Sequence, residues 1–116
     1  MTLIHIEDNK DIQEVFKTYL GPNHKLFQYD TITEVERHLG IAEPKIDGII
    51  TDDEVKDGSV VKDIKLLRDL TKKPIILITS GDFLEDDMKA LGFTAYFRKP
   101  VSGKQIDEAM EVIKNG

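Results

Sequence analysis

The sequence predicts a doubly wound α/β domain built on a five-stranded parallel sheet, and three features of the chain lead there. Short apolar runs alternate with stretches of helical periodicity five times between Leu3 and Ile113. Ile49-Ile50 and Ile75-Ile76-Leu77-Ile78 show no polar alternation, as expected of strands covered on both faces of a parallel sheet. The runs then end abruptly in polar or charged residues: Glu7-Asp8, Asp52, Thr79 and Arg98-Lys99. Strands joined by right-handed crossovers all point the same way, so these endings gather along one sheet edge. Ligands of open α/β sheets bind at that edge.

Taken in order, Leu3, Ile4 and Ile6 form the first strand, with His5 inside it as a core histidine that needs a hydrogen-bonded partner. Asp8 or Asn9 caps the next helix, whose stripe is Ile12, Val15, Phe16 and Tyr19 and which ends near Gly21-Pro22. Lys25 to Tyr29 is a second strand, and Thr31 or Thr33 opens a helix with Ile32, Val35 and Leu39 on one face, stopped by Gly40. Ile49 and Ile50 mark the third strand. Val60, Ile64, Leu67 and Leu70 follow at helical spacing, with Lys62, Lys65 and Arg68 largely outside that stripe and Lys72-Lys73-Pro74 closing the helix. After the run at 75–78, Leu84, Met88 and Leu91 give a short helix ended by Gly92, and Thr94 to Phe97 a fifth strand. Ser102 stands near the start of a last helix lined by Ile106, Ala109, Met110 and Ile113.

A chain of 116 residues with 40% hydrophobic content supports one core, so a single domain over 1–116 is expected. A net charge of -6 supplies no basic footprint for nucleic acid and points instead to proteins or cations as partners. Without cysteine there is no disulfide framework and no thiolate metal site, which fits a reducing cytoplasm. No basic segment precedes an apolar one at the N-terminus and no run reaches membrane-spanning length, so no membrane association is expected.

Glu7, Asp8 and Asp52 brought to one edge would repel one another, and they must either bind protons or share a cation. Hard oxygen donors without His or Cys favour Mg²⁺, which keeps waters and leaves room for phosphate oxygens. Lys99 and Thr79 beside such a cation suit phosphoryl transfer, where charge on equatorial oxygens needs cations and donors already in place. Taken singly, Asp8 reads as a helix cap and Asp53, Glu54 and Asp57 as solvated loop charges. The spacing from Asp52 to Asp57 does not supply the ligands and glycine of an EF-hand.

Along essentially its whole length the chain resembles the receiver domain of two-component response regulators, of the chemotaxis-regulator type. Glu7-Asp8 is similar to that family's metal-binding acid pair, Asp52 to its phospho-accepting aspartate, Thr79 to its switch hydroxyl, Tyr96 to its switch aromatic and Lys99-Pro100 to its Lys-Pro pair, whose peptide bond is usually cis. The resemblance implies a flavodoxin-like (βα)5 fold with strand order 2-1-3-4-5. It further implies a regulatory switch rather than a metabolic enzyme: Asp52 takes a phosphoryl group from a histidine kinase or phosphotransfer protein. Mg²⁺ would be held by Glu7, Asp8, Asp52 and the backbone carbonyl of Glu54. The signal would leave through the fourth helix, fifth strand and fifth helix toward a downstream protein or a second copy.

Two departures stand out, Lys56 where the family commonly has Pro and Val60 where it commonly has Gly. Val60 resists a positive φ, and Lys56 lacks proline's constraint, so the segment 55–60 is expected to be remodelled and more mobile than usual. Two other functions compete. A metal-dependent phosphohydrolase of the haloacid-dehalogenase type also uses a strand-end Asp, but places it after the first strand and has Asp where this chain has Glu54. A receiver-like scaffold that never carries phosphate is the other.

Overall fold

The computed structural model describes residues 1–41 and 45–116. Along the chain run β1 (Thr2–Ile6), α1 (Lys10–Leu20), β2 (Lys25–Tyr29), α2 (Ile32–Gly40), β3 (Gly48–Thr51), β4 (Glu54–Val55), β5 (Gly58–Ser59), α3 (Val60–Leu70), β6 (Ile75–Thr79), α4 (Glu85–Leu91), β7 (Ala95–Arg98) and α5 (Gly103–Asn115). Five strands form one sheet in the order β2-β1-β3-β6-β7, every pairing parallel. The two-residue strands β4 and β5 pair only with each other, as an antiparallel hairpin. Leaving them out of the count, the sheet order is the expected 2-1-3-4-5.

Side-chain alternation along the strands divides the core into two layers. Ile4, Ile6, Ile49, Ile75 and Leu77 face α2, α3 and α4 through Val35, Leu39, Ile64, Leu67 and Met88. Leu3, Ile50, Ile76 and Ile78 face α1 and α5 through Phe16, Leu20, Ile106, Ala109 and Ile113. Burial on both faces explains why the inner strands read as unbroken apolar runs, each fully buried Leu or Ile contributing about 1.5–3 kcal/mol.

Each helix but α4 starts on a side-chain cap: Asn9, Thr31, Ser59 and Ser102, the last completing a reciprocal pair with Gln105. The expected stripe of α1 is rotated. Phe16 and Leu20 are buried, while Val15 and Tyr19 are 59% and 43% exposed. Tyr19 instead sends its hydroxyl to the Gly103 carbonyl and Asp107 of α5, at 3.2 and 3.0 Å. Arg68, expected on the solvent side, is half-buried because its guanidinium donates to the carbonyls of Gly92 and Lys73 at 2.7 and 2.6 Å. No helix among the described residues is long and apolar enough to cross a membrane.

Candidate functional site

Parallel topology places Glu7 just past β1, Asp52 just past β3, Thr79 at the last position of β6 and Lys99 just past β7. Backbone hydrogen bonds fix these ends against one another: Asp52 N–H donates to the Ile6 carbonyl at 3.0 Å, Glu7 N–H to Tyr29 at 3.0 Å and Lys99 N–H to Thr79 at 2.9 Å. The Lys99–Pro100 peptide bond is cis.

Lys99 is the centre of the site. Its ammonium donates to Glu7 Oε1 and to Asp52 Oδ2, each at 3.0 Å. The second oxygen of Glu7 accepts from Asn9 N–H at 3.3 Å, and Asp52 Oδ1 accepts from Asp53 N–H at 2.7 Å. Glu7 is almost wholly buried. Burial pushes its carboxyl above the usual range, the hydrogen bond from Lys99 opposes this, and the nearby Asp52 charge adds to the rise. Burial alone would lower Lys99, but its bonds to Glu7 and Asp52 and their charges outweigh that and hold it above the ordinary lysine value. The ammonium therefore stays charged between two acids at neutral pH. Asp52, with 16% of its side chain exposed, is reachable from solvent.

The sequence-predicted residues do not all converge. Asp8 is exposed, and the side chain of Glu54 points to solvent from β4. Among the described residues no three His, Cys, Asp or Glu side chains are already arranged to hold a metal ion. The donor chemistry nevertheless suits Mg²⁺: the charges of Glu7 and Asp52 exceed that of Lys99, and repulsion from Asp52 contributes to the raised Glu7 pKa. Thr79 is buried and its Oγ1 accepts from Gly81 N–H at 3.2 Å, while Tyr96 donates its hydroxyl to the Gly81 carbonyl at 2.8 Å. The two switch candidates thus hold opposite sides of a single glycine, a link no sequence spacing reveals.

Two expectations about the loop after β3 are corrected. Asp53 is not solvated: it is buried, and its Oδ1 accepts from Ser59 Oγ at 2.7 Å and from Val61 N–H at 2.9 Å, adding a second cap to α3. Asp57 is not idle either, since its carboxylate receives the Ile32 and Thr33 amides at the start of α2. The segment 55–60 forms a hairpin, with Lys56 N–H donating to the Asp30 carbonyl and Val60 N–H to the Asp53 carbonyl. The positive φ falls on Gly58 (φ 150), so Val60 escapes that strain and sits as the fully buried first residue of α3. These roles need contacts across 25 residues in the case of Asp57 and Ile32, beyond local pattern. His5 behaves as expected, stacked on Phe16 and within 3.0 Å of Gln28 Nε2.

Beside Lys99, a largely apolar groove of 420 Å³ is lined by Ile12, Val15, Phe16, Pro100 and Val101. A larger cleft of 630 Å³ between β2 and α2, lined by Phe27, Tyr29, Arg37 and His38, contains none of the acid-site groups.

No protein-family model matches the chain, and no curated protein sequence matches it. Solved structures do. The receiver domain of the Francisella response regulator 1452 superposes with a TM-score of 0.85 at 18% identity, covering 98% of this chain and 97% of its own. The BeF3-activated N-terminal receiver domain of Klebsiella pneumoniae RstA gives 0.83 at 19% identity with both chains covered fully, at 100% each. The N-terminal domain of the nisin resistance regulator NsrR gives 0.81 at 22% identity, covering 97% of this chain and 96% of that one. The chain has the flavodoxin-like fold of response-regulator receiver domains.

Proposed function

We propose that this domain is a phosphorylation-controlled signalling switch in which Asp52 accepts a phosphoryl group from a phosphohistidine on a partner kinase or phosphotransfer protein. The observation that carries the reading is the Lys99 ammonium, 3.0 Å from both Asp52 and Glu7, at the strand ends of a receiver fold. A free oxygen lone pair of Asp52 attacks phosphorus, an O–P bond forms as the N–P bond breaks, and the departing imidazole keeps the electron pair and takes up a proton. Lys99 meets the charge on the transferring oxygens without first having to be ordered, because Glu7 already anchors it. Thr79, at the end of the neighbouring strand, offers a hydroxyl to the product acyl phosphate. Glu7, Asp8, Asp52 and the Glu54 carbonyl are the donors for Mg²⁺, which would supply positive charge for the phosphoryl oxygens.

The apolar groove beside Lys99, with half-exposed Val15 at its rim, suits a protein donor that must bring its histidine to Asp52. On the output side Leu84 and Leu91, at the two ends of α4, are exposed, a surface for a downstream protein or a second copy. A regulatory domain of this kind catalyses only its own phosphorylation and dephosphorylation, and works in the cytoplasm. The test is labelling with a small phosphodonor such as acetyl phosphate, with and without Mg²⁺. Wild type takes up one base-labile phosphate at Asp52, whereas Asp52→Asn takes up none. Label that persists in Asp52→Asn, or that maps to Asp53, overturns the reading.

A further inference from the structure

The acceptor loop is fastened to the start of α2, and both fastenings come from residues that the sequence marks as a departure or as an idle charge. Asp57 Oδ1 accepts from Ile32 N–H at 2.7 Å, and Oδ2 accepts from Thr33 N–H at 3.0 Å and from the Thr33 hydroxyl at 2.8 Å. These are orphan donors of a helix N-terminus, answered by a carboxylate from another part of the chain in addition to the local cap Thr31. Lys56 N–H donates to the Asp30 carbonyl at 3.2 Å, a bond that proline at this position could not make. The Asp30 carboxylate in turn receives Lys10 Nζ and Gln13 Nε2 from α1, and Gln13 Nε2 also donates to the Glu7 carbonyl. Between the fastenings and Asp52, Val55 is buried in the same core cluster as Ile32.

We propose that Asp57, assisted by the Lys56 amide, is a positioning residue that ties the Asp52 loop to α2, so that phosphorylation is transmitted to the β2–α2 junction as well as toward Tyr96. This rests on the reading of Asp52 as the phospho-acceptor. The loop has little slack: only four residues separate Asp52 from Asp57, Asp53 is engaged by α3, and Gly58 supplies the reversal that returns the chain to α3. A shift of the loop to admit a phosphoryl group must therefore pull on the Asp57 bonds or carry α2 with it. Each outcome changes the contacts of Ile32 and Thr33, and a difference in contacts between two states is what couples two sites.

The experiment adds beryllofluoride and Mg²⁺ to the full chain and follows bound fluorine and backbone amides by NMR. In wild type, amides of 53–59 and of 32–36 shift together. In Asp57→Ala the bound-fluorine resonance and the 53–59 shifts persist while the 32–36 shifts fall to less than half, and Asp57→Asn, which keeps one acceptor oxygen, restores part of them. Unchanged α2 shifts in Asp57→Ala, or none in wild type carrying the mimic, overturn the proposal. Absence of a bound-fluorine resonance in wild type defeats the acceptor reading instead. The fastening is then judged without the mimic, by amide exchange at Ile32 and Thr33. Exchange about tenfold faster in Asp57→Ala, the factor for losing one charge-assisted hydrogen bond, supports it, and an unchanged rate overturns it. Lys56→Pro, which removes only the amide, is the second variant, with a smaller loss of α2 shifts expected and none counting against the Lys56 contribution.

Discussion

Lys99 Nζ stands 3.0 Å from Asp52 Oδ2 across 47 residues of sequence, and the same ammonium is the cation that accompanies Glu7 into the core. Lys99→Met keeps much of the apolar stem but leaves the Glu7 carboxylate buried without its counter-charge. Part of Lys99 reaches solvent, so the cost is below that of a fully buried pair: about 1–3 kcal/mol, read as a lower urea midpoint at neutral pH. Labelling by a small phosphodonor should slow by roughly a hundredfold, the scale for losing one preorganised charge. Unaltered stability and labelling would show that the bridge is incidental.

Mg²⁺ should raise the melting temperature of wild type, because a cation bound only by the folded state stabilises it by mass action. Asp8 is exposed and directly follows Glu7, so Asp8→Asn should weaken Mg²⁺ by severalfold without lowering stability in its absence. A calorimetric titration with equal affinity in the two proteins would remove Asp8 from the donor set.

Most of the sheet was legible because burial on both faces leaves a local mark: Ile49-Ile50 and Ile75 to Ile78 have no polar residue to spare. The strand-end residues were legible for the same reason, since a parallel sheet converts position at the end of a run into position in space. What remained hidden depends on contacts between distant segments. Tyr19 fits an apolar stripe by spacing but is drawn outward by Asp107, and Asp53 and Asp57 look alike in sequence although one caps α3 and the other α2. The hairpin of β4 and β5 is too short for any alternation to announce it.

Gly48 opens β3 under α5, where an added Cβ would stand 2.7 Å from Ile113 Cγ2. Gly48→Ala should destabilise by about 1–3 kcal/mol through overpacking. The crowding atoms of Ile113 all lie beyond its Cβ, so Gly48→Ala with Ile113→Ala should cost less than the sum of the two single changes. Denaturant titrations in which the two changes simply add would show that this contact is not the cause.

Thr79 and Tyr96 meet at Gly81, one accepting its N–H and the other donating to its carbonyl. A phosphoryl group on Asp52 offers the Thr79 hydroxyl a charge-assisted bond, which draws it from Gly81 and loosens the segment that Tyr96 grips. Thr79→Ala should therefore accept phosphate at Asp52 while the beryllofluoride-induced NMR shifts at Gly81, Phe83 and Tyr96 shrink. Tyr96→Phe should keep the shift at Gly81 N–H and lose the response beyond it. Equal shifts in wild type and Thr79→Ala would rule out this route.

Asp57 also sets an acid dependence whose sign follows from its partners. Burial alone would raise its pKa, but the Ile32 amide, the Thr33 hydroxyl and the Thr33 amide together outweigh burial and hold it below its ordinary 3.8. The folded state therefore binds fewer protons there than the unfolded chain. The stabilisation is complete above the unfolded value of 3.8 and disappears as pH falls further, through the lower folded value. At neutral pH Asp57→Ala should cost about 1 kcal/mol, as for other lost helix caps. Urea midpoints of wild type and Asp57→Ala should accordingly differ by a constant amount from about pH 7 to pH 5 and converge below about pH 4. Parallel curves down to about pH 3 would mean that the carboxylate charge contributes nothing and that only the volume of the side chain is felt.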